Sequence, residues 1–241
     1  MAEWRRPGAF AVVLALAGIA LFLSLANWQF RRAREKDALF AAFAHAASQT
    51  PVTLAQARGQ ASADRYPTVR VHGRFDASRT WLLDNQVRHG RVGVMVFGLF
   101  EPDDGGPALL VNRGFLARAP DGALPAIPPP PPAATTLTAL YAPPPGAGIR
   151  MGGDALPSQS GWPKTVIYVD LDELAADAGR KLDSRILLQL DADGGTLVRE
   201  WQPGVFPPER HRAYAFTWLT FAAVVVVTFL ILHRTSPRSP K

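Results

Sequence analysis

The side chain with the clearest chemical use in this chain is His211, set between Arg210 and Arg212 at the foot of an uncharged run. A neutral imidazole binds metals through either ring nitrogen, and flanking guanidiniums can hold carboxylates. From Ala213 to Leu232 there are 20 residues without a charge, enough helix to rise about 30 Å and cross the hydrocarbon core of a bilayer. Tyr214 and Trp218 lie one helical turn apart, where amphipathic rings settle at a membrane interface. His211 therefore sits at a water-membrane boundary. It is either a ligand or an anchor of the helix at the headgroups, and residue types leave both readings open.

Other catalytic constellations are thin. The remaining histidines, His45, His72, His89 and His233, have no spacing partner, and no Gly-rich phosphate loop, nucleophile elbow or paired-histidine metal motif occurs. The acidic pairs Asp103-Asp104 and Asp191/Asp193 lie beside glycines, where Asp usually caps its own turn. With no cysteine, disulfides, thiolate zinc sites and thiol nucleophiles are excluded. Met1, Met95 and Met151 are scattered, so the soft sulfur ligands of a copper carrier are missing too. A net charge of +6 raises the question of nucleic acid, but the basic residues are dispersed and form no stripe. Several flank the apolar spans, where they meet lipid headgroups, so membrane lipid is the expected partner and nucleic acid is not.

Two apolar runs bracket the chain, and His211 stands at the foot of the second. After a basic lead at 1–7, Gly8 to Ala26 supplies 19 uncharged residues, longer than the apolar core of a signal peptide. A retained membrane helix over 8–28 is the reading, although Ser24 and Ala26 also suit a signal peptidase. A helical pattern without Gly or Pro continues as a lead-in over 29–46, with Trp28, Arg32 and Lys36 on one face at i, i+4 and i+8. Taken alone, that face reads as an interface anchor with snorkelling cations.

Between the two spans, over 29–212, short β-patterned runs alternate with turn signals. They are Tyr66 to Phe75, Thr80 to Val87, Arg91 to Phe100, Ala108 to Arg118, Thr135 to Tyr141, Thr165 to Asp170, Arg185 to Leu190 and Thr196 to Trp201. Asp172 to Arg180 is a short helix stopped near Gly179. The predicted fold is two transmembrane helices flanking a mainly-β domain, an antiparallel sheet or barrel of about seven or eight strands with one or two short helices. Pro-rich loops at 119–134 and 142–164 interrupt it as stiff connections. A second span at 213–232 and a basic tail at 233–241 complete the chain. Two arginines before the first span, the cations Arg31 to Lys36 and the tail's Arg234, Arg238 and Lys241 leave the topology ambiguous by charge counting.

Four short motifs in order resemble the surfeit locus protein 1 family of cytochrome c oxidase assembly proteins. Trp28, Gln29, Arg32 and Lys36 match the pattern after the first helix, with Ala26 where glycine is usual. Gly73, Phe75 and Asp84 follow, then Gly93 with Val94 in place of an aromatic. Val111, Asn112, Arg113 and Gly114 form the next motif. The last is His211, Tyr214, Ala215 and Trp218, with Leu219 replacing a phenylalanine. The resemblance implies a bacterial inner-membrane protein, both termini cytoplasmic and the β domain periplasmic. It further implies help in maturing a heme-copper oxidase, with heme a received for insertion into subunit I, and heme a synthase and subunit I as partners. No turnover reaction is implied.

In that setting His211 is expected as an axial ligand to the iron of heme a. Arg210, Arg212, Arg32 and Lys36 would face its propionates, and Tyr214 and Trp218 its ring. Gly73 and Gly93 are expected where backbones approach closely. Arg113 either pairs with a carboxylate such as Asp84 inside the barrel or lies exposed before a turn. Trp162 and Tyr168 are core or rim aromatics. The competing functions are a scaffold that binds no cofactor and a membrane-tethered enzyme with an unrecognised site.

Overall fold

A computed structural model describes residues 3–60, 62, 65–146, 156–191, 195–203 and 206–235. Met1, Asp193, Met151, Arg238, Lys241 and part of the 142–164 loop, which entered the sequence reading, lie outside these residues. The chain divides into two units, residues 1–40 with 205–241, and residues 41–204.

The first unit is an antiparallel helical hairpin. Helix α1 runs Ala9–Ala46 without a break, its residues up to Phe40 belonging to this unit, as expected of a stretch rich in Ala and Leu with no proline. Helix α4, Pro208–His233, starts with proline at its first turn, where the missing N–H costs nothing and φ is already helical. At the outer ends, strand β1 (Glu3–Trp4) pairs with β8 (Arg234–Thr235), and Arg5 N–H donates to the carbonyl of His233. The seam is made of small residues spaced by seven, Ala26 and Ala33 on α1 and Ala215 and Ala222 on α4, all buried. Between them Phe22 stacks on Trp218 at 5.8 Å and Phe30 meets Phe216 edge-on at 5.8 Å. Outside the seam both helices present large apolar side chains to their surroundings, among them Leu14, Leu21, Phe216, Val224 and Leu232. Both are long and apolar enough to cross a membrane, and apolar exposure on this scale is not tolerated in water.

The second unit is mainly β. Its strands are β2 (Thr68–Arg88), β3 (Arg91–Pro102), β4 (Ala108–Ala117), β5 (Thr135–Ala142), β6 (Lys164–Val166) and β7 (Leu182–Gln189). Hydrogen bonding runs β3-β4-β7-β5-β2, and β2 also pairs with β3, so five strands close a ring and β6 adds to the side of β2. One 21-residue strand does both jobs: Thr68–Gly73 lies on β5, and Gly73–Arg88 on β3. Closure removes exposed sheet edges.

Six strands replace the seven or eight expected. Asp76-Ala77-Ser78, with the composition of a turn, is a local irregularity within one strand. Asp76 caps the Ser78 N–H while the register shifts, and the chain carries on to Thr80 against the same partner. The run Thr196 to Trp201 pairs only at Val198, in an isolated bridge to Phe115. The sheet is also not purely antiparallel, since β4–β7 and β2–β6 are parallel. Such pairs require long connections, and here residues 118–181 separate β4 from β7 and residues 89–163 separate β2 from β6.

Two short helices complete the unit. Helix α2 (Leu54–Gly59) opens with a Thr53/Gln56 capping box. In α3 (Leu171–Ala178) the Asp170 side chain accepts from the N–H groups of Asp172 and Glu173, and Gly179 closes the helix in the left-handed conformation. The core gathers Val69, Val71, Phe75, Phe100, Leu109, Tyr141 and Leu187, with Phe75 and Phe100 edge-to-face at 5.0 Å. Trp81 is wholly buried, and its indole N–H donates to Asp177. Trp162 packs edge-on against it and remains partly exposed, a rim aromatic as expected.

Candidate functional site

The helical hairpin brings the first and last motifs together. Gln29 on α1 and His211 on α4 are 182 residues apart in sequence, yet Gln29 Oε1 lies 2.8 Å from His211 Nδ1. With the Gln29 carbonyl as acceptor, Nδ1 carries the proton, and the lone pair is left on Nε2, which has no hydrogen-bond partner among the described residues. Fixing the tautomer through the far nitrogen is how metal-binding histidines are oriented. Trp218 lies two turns further along the same face, half-buried against Phe22 and Phe221. Its indole nitrogen is buried without an acceptor. Tyr214 and Trp28 point away from the seam and are largely exposed.

The cations divide into two groups. Arg212 is spent on Asp37 of the facing helix at 2.6 Å, with Glu209 at 3.6 Å. Arg32 pairs within its own helix with Glu35 at 2.6 Å, both half-exposed, which holds it weakly. Arg210 stacks over the Phe206 ring at 5.1 Å and has no ion pair among the described residues, and neither has Lys36. Of these four, Arg210 and Lys36 are therefore the ones ready to meet an anionic group. Asp37 is not singled out by sequence; an acidic residue in a basic stretch is the available signal, but its partner is 175 residues away.

Among the described residues no three His, Cys, Asp or Glu side chains converge on a metal-ion site. The donor set instead suits a single axial imidazole. A heme would meet in this hairpin an oriented His211 nitrogen, apolar flanks and, of the four cations expected to face its propionates, two without an ion pair among the described residues.

The middle motifs are architectural. A Cβ on Gly73 would lie 2.2 Å from the Glu101 carbonyl oxygen, and one on Gly93 2.2 Å from that of Leu116. Both glycines therefore permit the close approach expected of them. In Val-Asn-Arg-Gly, Val96 pairs with Gly114 and Phe97 with Asn112, leaving Arg113 as the extra residue of a β-bulge. Gly114 adopts φ 137° with a Cβ position 2.9 Å from Leu197, and the Asn112 side chain accepts from its N–H at 3.2 Å.

The bulge turns Arg113 inward, where it is 1% exposed. Its guanidinium lies 5.7 Å from the Phe75 ring centre and donates to the carbonyls of Pro128 and Pro129 at 2.8 and 3.1 Å. It is therefore not the exposed strand arginine of the second expectation, and Asp84 pairs with Arg118 at 3.0 Å. Proline-rich backbone has acceptors and few donors, so a buried arginine fork suits the 119–134 connection. Arg113→Met is expected to strand both carbonyls and cost about 2–4 kcal/mol. The midpoint of denaturant unfolding and protease sensitivity near Pro128 would register it. Arg113→Lys should recover only part, since an ammonium lacks the fork.

Burial would raise the Asp84 carboxyl, but the Asn85 N–H and Arg118 overcome this and hold it below the ordinary value of 3.8. A depressed carboxylate stabilises the fold above its unfolded pKa and loses that contribution as pH falls through the folded value. Between about pH 4 and lower pH, the wild type is therefore expected to lose more stability than Asp84→Asn. The effect is small because both partners are partly exposed. Parallel acid limbs in thermal melts of the two proteins would contradict it.

A buried network escapes the sequence reading. Asp183 accepts from Arg58 Nε at 2.8 Å, from the Tyr141 hydroxyl and from the Arg185 N–H. Arg185 donates to the carbonyls of Ser62, Arg65 and Tyr141. Burial and then the bond to Asp183 push the Tyr141 hydroxyl up to about 12. Burial lowers the Arg185 guanidinium. Every member is tied to backbone or to another member, the arrangement of a structural clamp.

Two of the histidines that look isolated in sequence also find partners. His72 lies against Asp103 and His89 against Glu200, both on the surface. Asp104 caps the Gly106 N–H as expected of a turn acid, and Asp191 accepts from the Thr138 N–H.

A mainly-β unit with five of its strands closed into a ring, and with an apolar helix on either side of it in sequence, defines the class of protein. The model of the SURF1 family matches residues 16–223, and the chain belongs to that family. The family is associated with cytochrome c oxidase assembly; it is a family of assembly factors, not a known class of enzyme. No match is found among curated proteins.

Proposed function

We propose that this protein holds heme a during the maturation of a heme-copper terminal oxidase and assists its insertion into subunit I. The observation that carries the reading is the Gln29–His211 hydrogen bond. It joins two motifs from opposite ends of the chain and presents an oriented imidazole nitrogen at the foot of an apolar helix. His211 would bind the iron in this reading, and Arg210 and Lys36 would receive the propionates. Arg212 and Arg32 join them only by giving up Asp37 and Glu35. When bound, heme a supplies an iron centre and an apolar macrocycle. The chain's own part would be to orient one nitrogen, neutralise carboxylates and cover the ring with Trp218, Tyr214 joining only by turning from its exposed position. The setting is the bacterial inner membrane with both termini cytoplasmic and the β unit periplasmic, and heme a synthase is the partner from which such a cargo would come.

The test is an absorption spectrum of the full-length protein purified after co-expression with heme a synthesis. Wild type is expected to carry heme a, and His211→Ala to reach the membrane at normal abundance without it. If the purified wild type carries no heme while oxidase assembly still depends on the protein, the scaffold reading replaces this one. Alkaline phosphatase fused near Thr135 is expected to be active; inactivity there with activity after Lys241 would invert the topology.

A further inference from the structure

The β2–β3 hairpin ends in a two-residue turn, His89-Gly90, with both residues at positive φ (49° and 72°). Such a turn fixes the register tightly, and it places Arg88 directly opposite Arg91. Like charges directly across an antiparallel pair repel. Neither guanidinium has a hydrogen bond or ion pair among the described residues, and both arginines line the same cavity. The nearby carboxylate of Glu200 is taken up by His89.

The cavity measures about 380 Å³ and its walls are apolar, with Phe115, Leu116, Pro125 and Val198 among them. That is the small end of ligand-site volumes. Val198 is held there by its two backbone hydrogen bonds to Phe115 at 2.8 and 2.9 Å. Val87 and Val92, beside the two arginines, are also largely exposed. Two opposed guanidiniums without a partner among the described residues, lining an apolar pocket, match one kind of molecule: an acidic head on a hydrocarbon chain.

We infer that this pocket binds an acidic amphiphile, with its phosphate or carboxylate on Arg88 and Arg91 and one acyl chain against Phe115, Leu116 and Val198. The chain carries two helices apolar enough to cross a bilayer, so acidic lipid and free fatty acid are the amphiphiles it encounters. The site lies wholly within residues 41–204 and is independent of His211 and of any heme.

Full-length protein in a neutral maltoside detergent, titrated and read by native mass spectrometry, provides the test. The probes are oleate, oleoyl-lysophosphatidylglycerol and, as a zwitterionic control, oleoyl-lysophosphatidylcholine. One acidic ligand per chain is expected, bound about tenfold or more tightly than the control. Binding of oleate alone identifies a fatty acid as the ligand; binding of the lysophosphatidylglycerol identifies a lipid headgroup. The double variant R88Q/R91Q, altered only at the hairpin tip, is expected to lose that preference while its thermal midpoint holds or rises. Val198→Trp, which fills the pocket and leaves both arginines, is expected to lose all three ligands. Equal binding of acidic and zwitterionic probes by the wild type, or an unchanged preference in R88Q/R91Q, overturns the inference.

Discussion

Gly73→Ala is expected to unfold the β unit or to cost about 3 kcal/mol or more, a large part of the stability of an ordinary domain. The new Cβ would stand 2.2 Å from the Glu101 carbonyl oxygen, 2.7 Å from the Phe100 ring and 2.9 Å from Pro102 Cα. Two of those three neighbours are backbone, so no rotamer change relieves the clash. The position is also the hinge of the ring: Gly73 pairs with Thr135 of β5 on one side and with Pro102 of β3 on the other. Pushing β3 away there opens the junction where the long strand passes between neighbours. Gly93→Ala is expected to behave alike, since the Leu116 carbonyl is as close and the Phe115 ring stands at 2.7 Å. Gly59→Ala is the control. It lies in α2 with nothing within 4 Å of its Cβ position, so the change should be neutral or slightly stabilising. Thermal midpoints of the three variants in detergent decide the matter; a Gly73→Ala protein melting with Gly59→Ala would refute the account.

The same two glycines show what sequence can tell. A glycine inside a strand pattern signals close backbone approach, and both signals are legible because the cause is local. Arg113 is not, because its fate depends on register. Asn112 and Gly114 pair with adjacent residues of β3, and the resulting bulge swings the arginine inward. Nothing in Val-Asn-Arg-Gly alone says that two residues will oppose one. The merged strand Thr68–Arg88 is hidden for a related reason: Asp-Ala-Ser has the composition of a turn, but here Asp76 satisfies the Ser78 N–H without reversing the chain. Parallel pairing of β4 with β7 is a property of the long connections between them and leaves no periodic trace. The two apolar helices are plain because a 20-residue uncharged run has one common use. His211 stands out for its position, but its orienting partner does not. Gln29 is visible only as part of a motif, and the bond between them spans nearly the whole chain.

That bond sets up the second large effect, which separates a ligand from a helix anchor. If Gln29 orients His211 for iron, removing its carbonyl in Gln29→Leu should weaken heme retention by about 10- to 100-fold, the usual cost of losing the partner of a metal-binding histidine. The absorption spectrum of whatever heme remains should be unchanged, because the iron still sees an imidazole. His211→Ala should instead change the spectrum or abolish it. Gln29→Glu supplies a stronger acceptor to Nδ1, raising the basicity of Nε2; retention should persist and the heme midpoint potential should fall. A role confined to packing predicts another pattern. The leucine of the Gln29→Leu variant would sit well in an apolar seam lined by Ala26, Ala33 and Ala215, so the hairpin would be as stable as before and heme content would not move. Titration of purified variants with heme, with potentiometry on the loaded protein, distinguishes the two. Unchanged affinity in Gln29→Leu together with an unchanged potential in Gln29→Glu would leave the contact as helix packing, because an acceptor bonded to a ligating imidazole must alter one or the other.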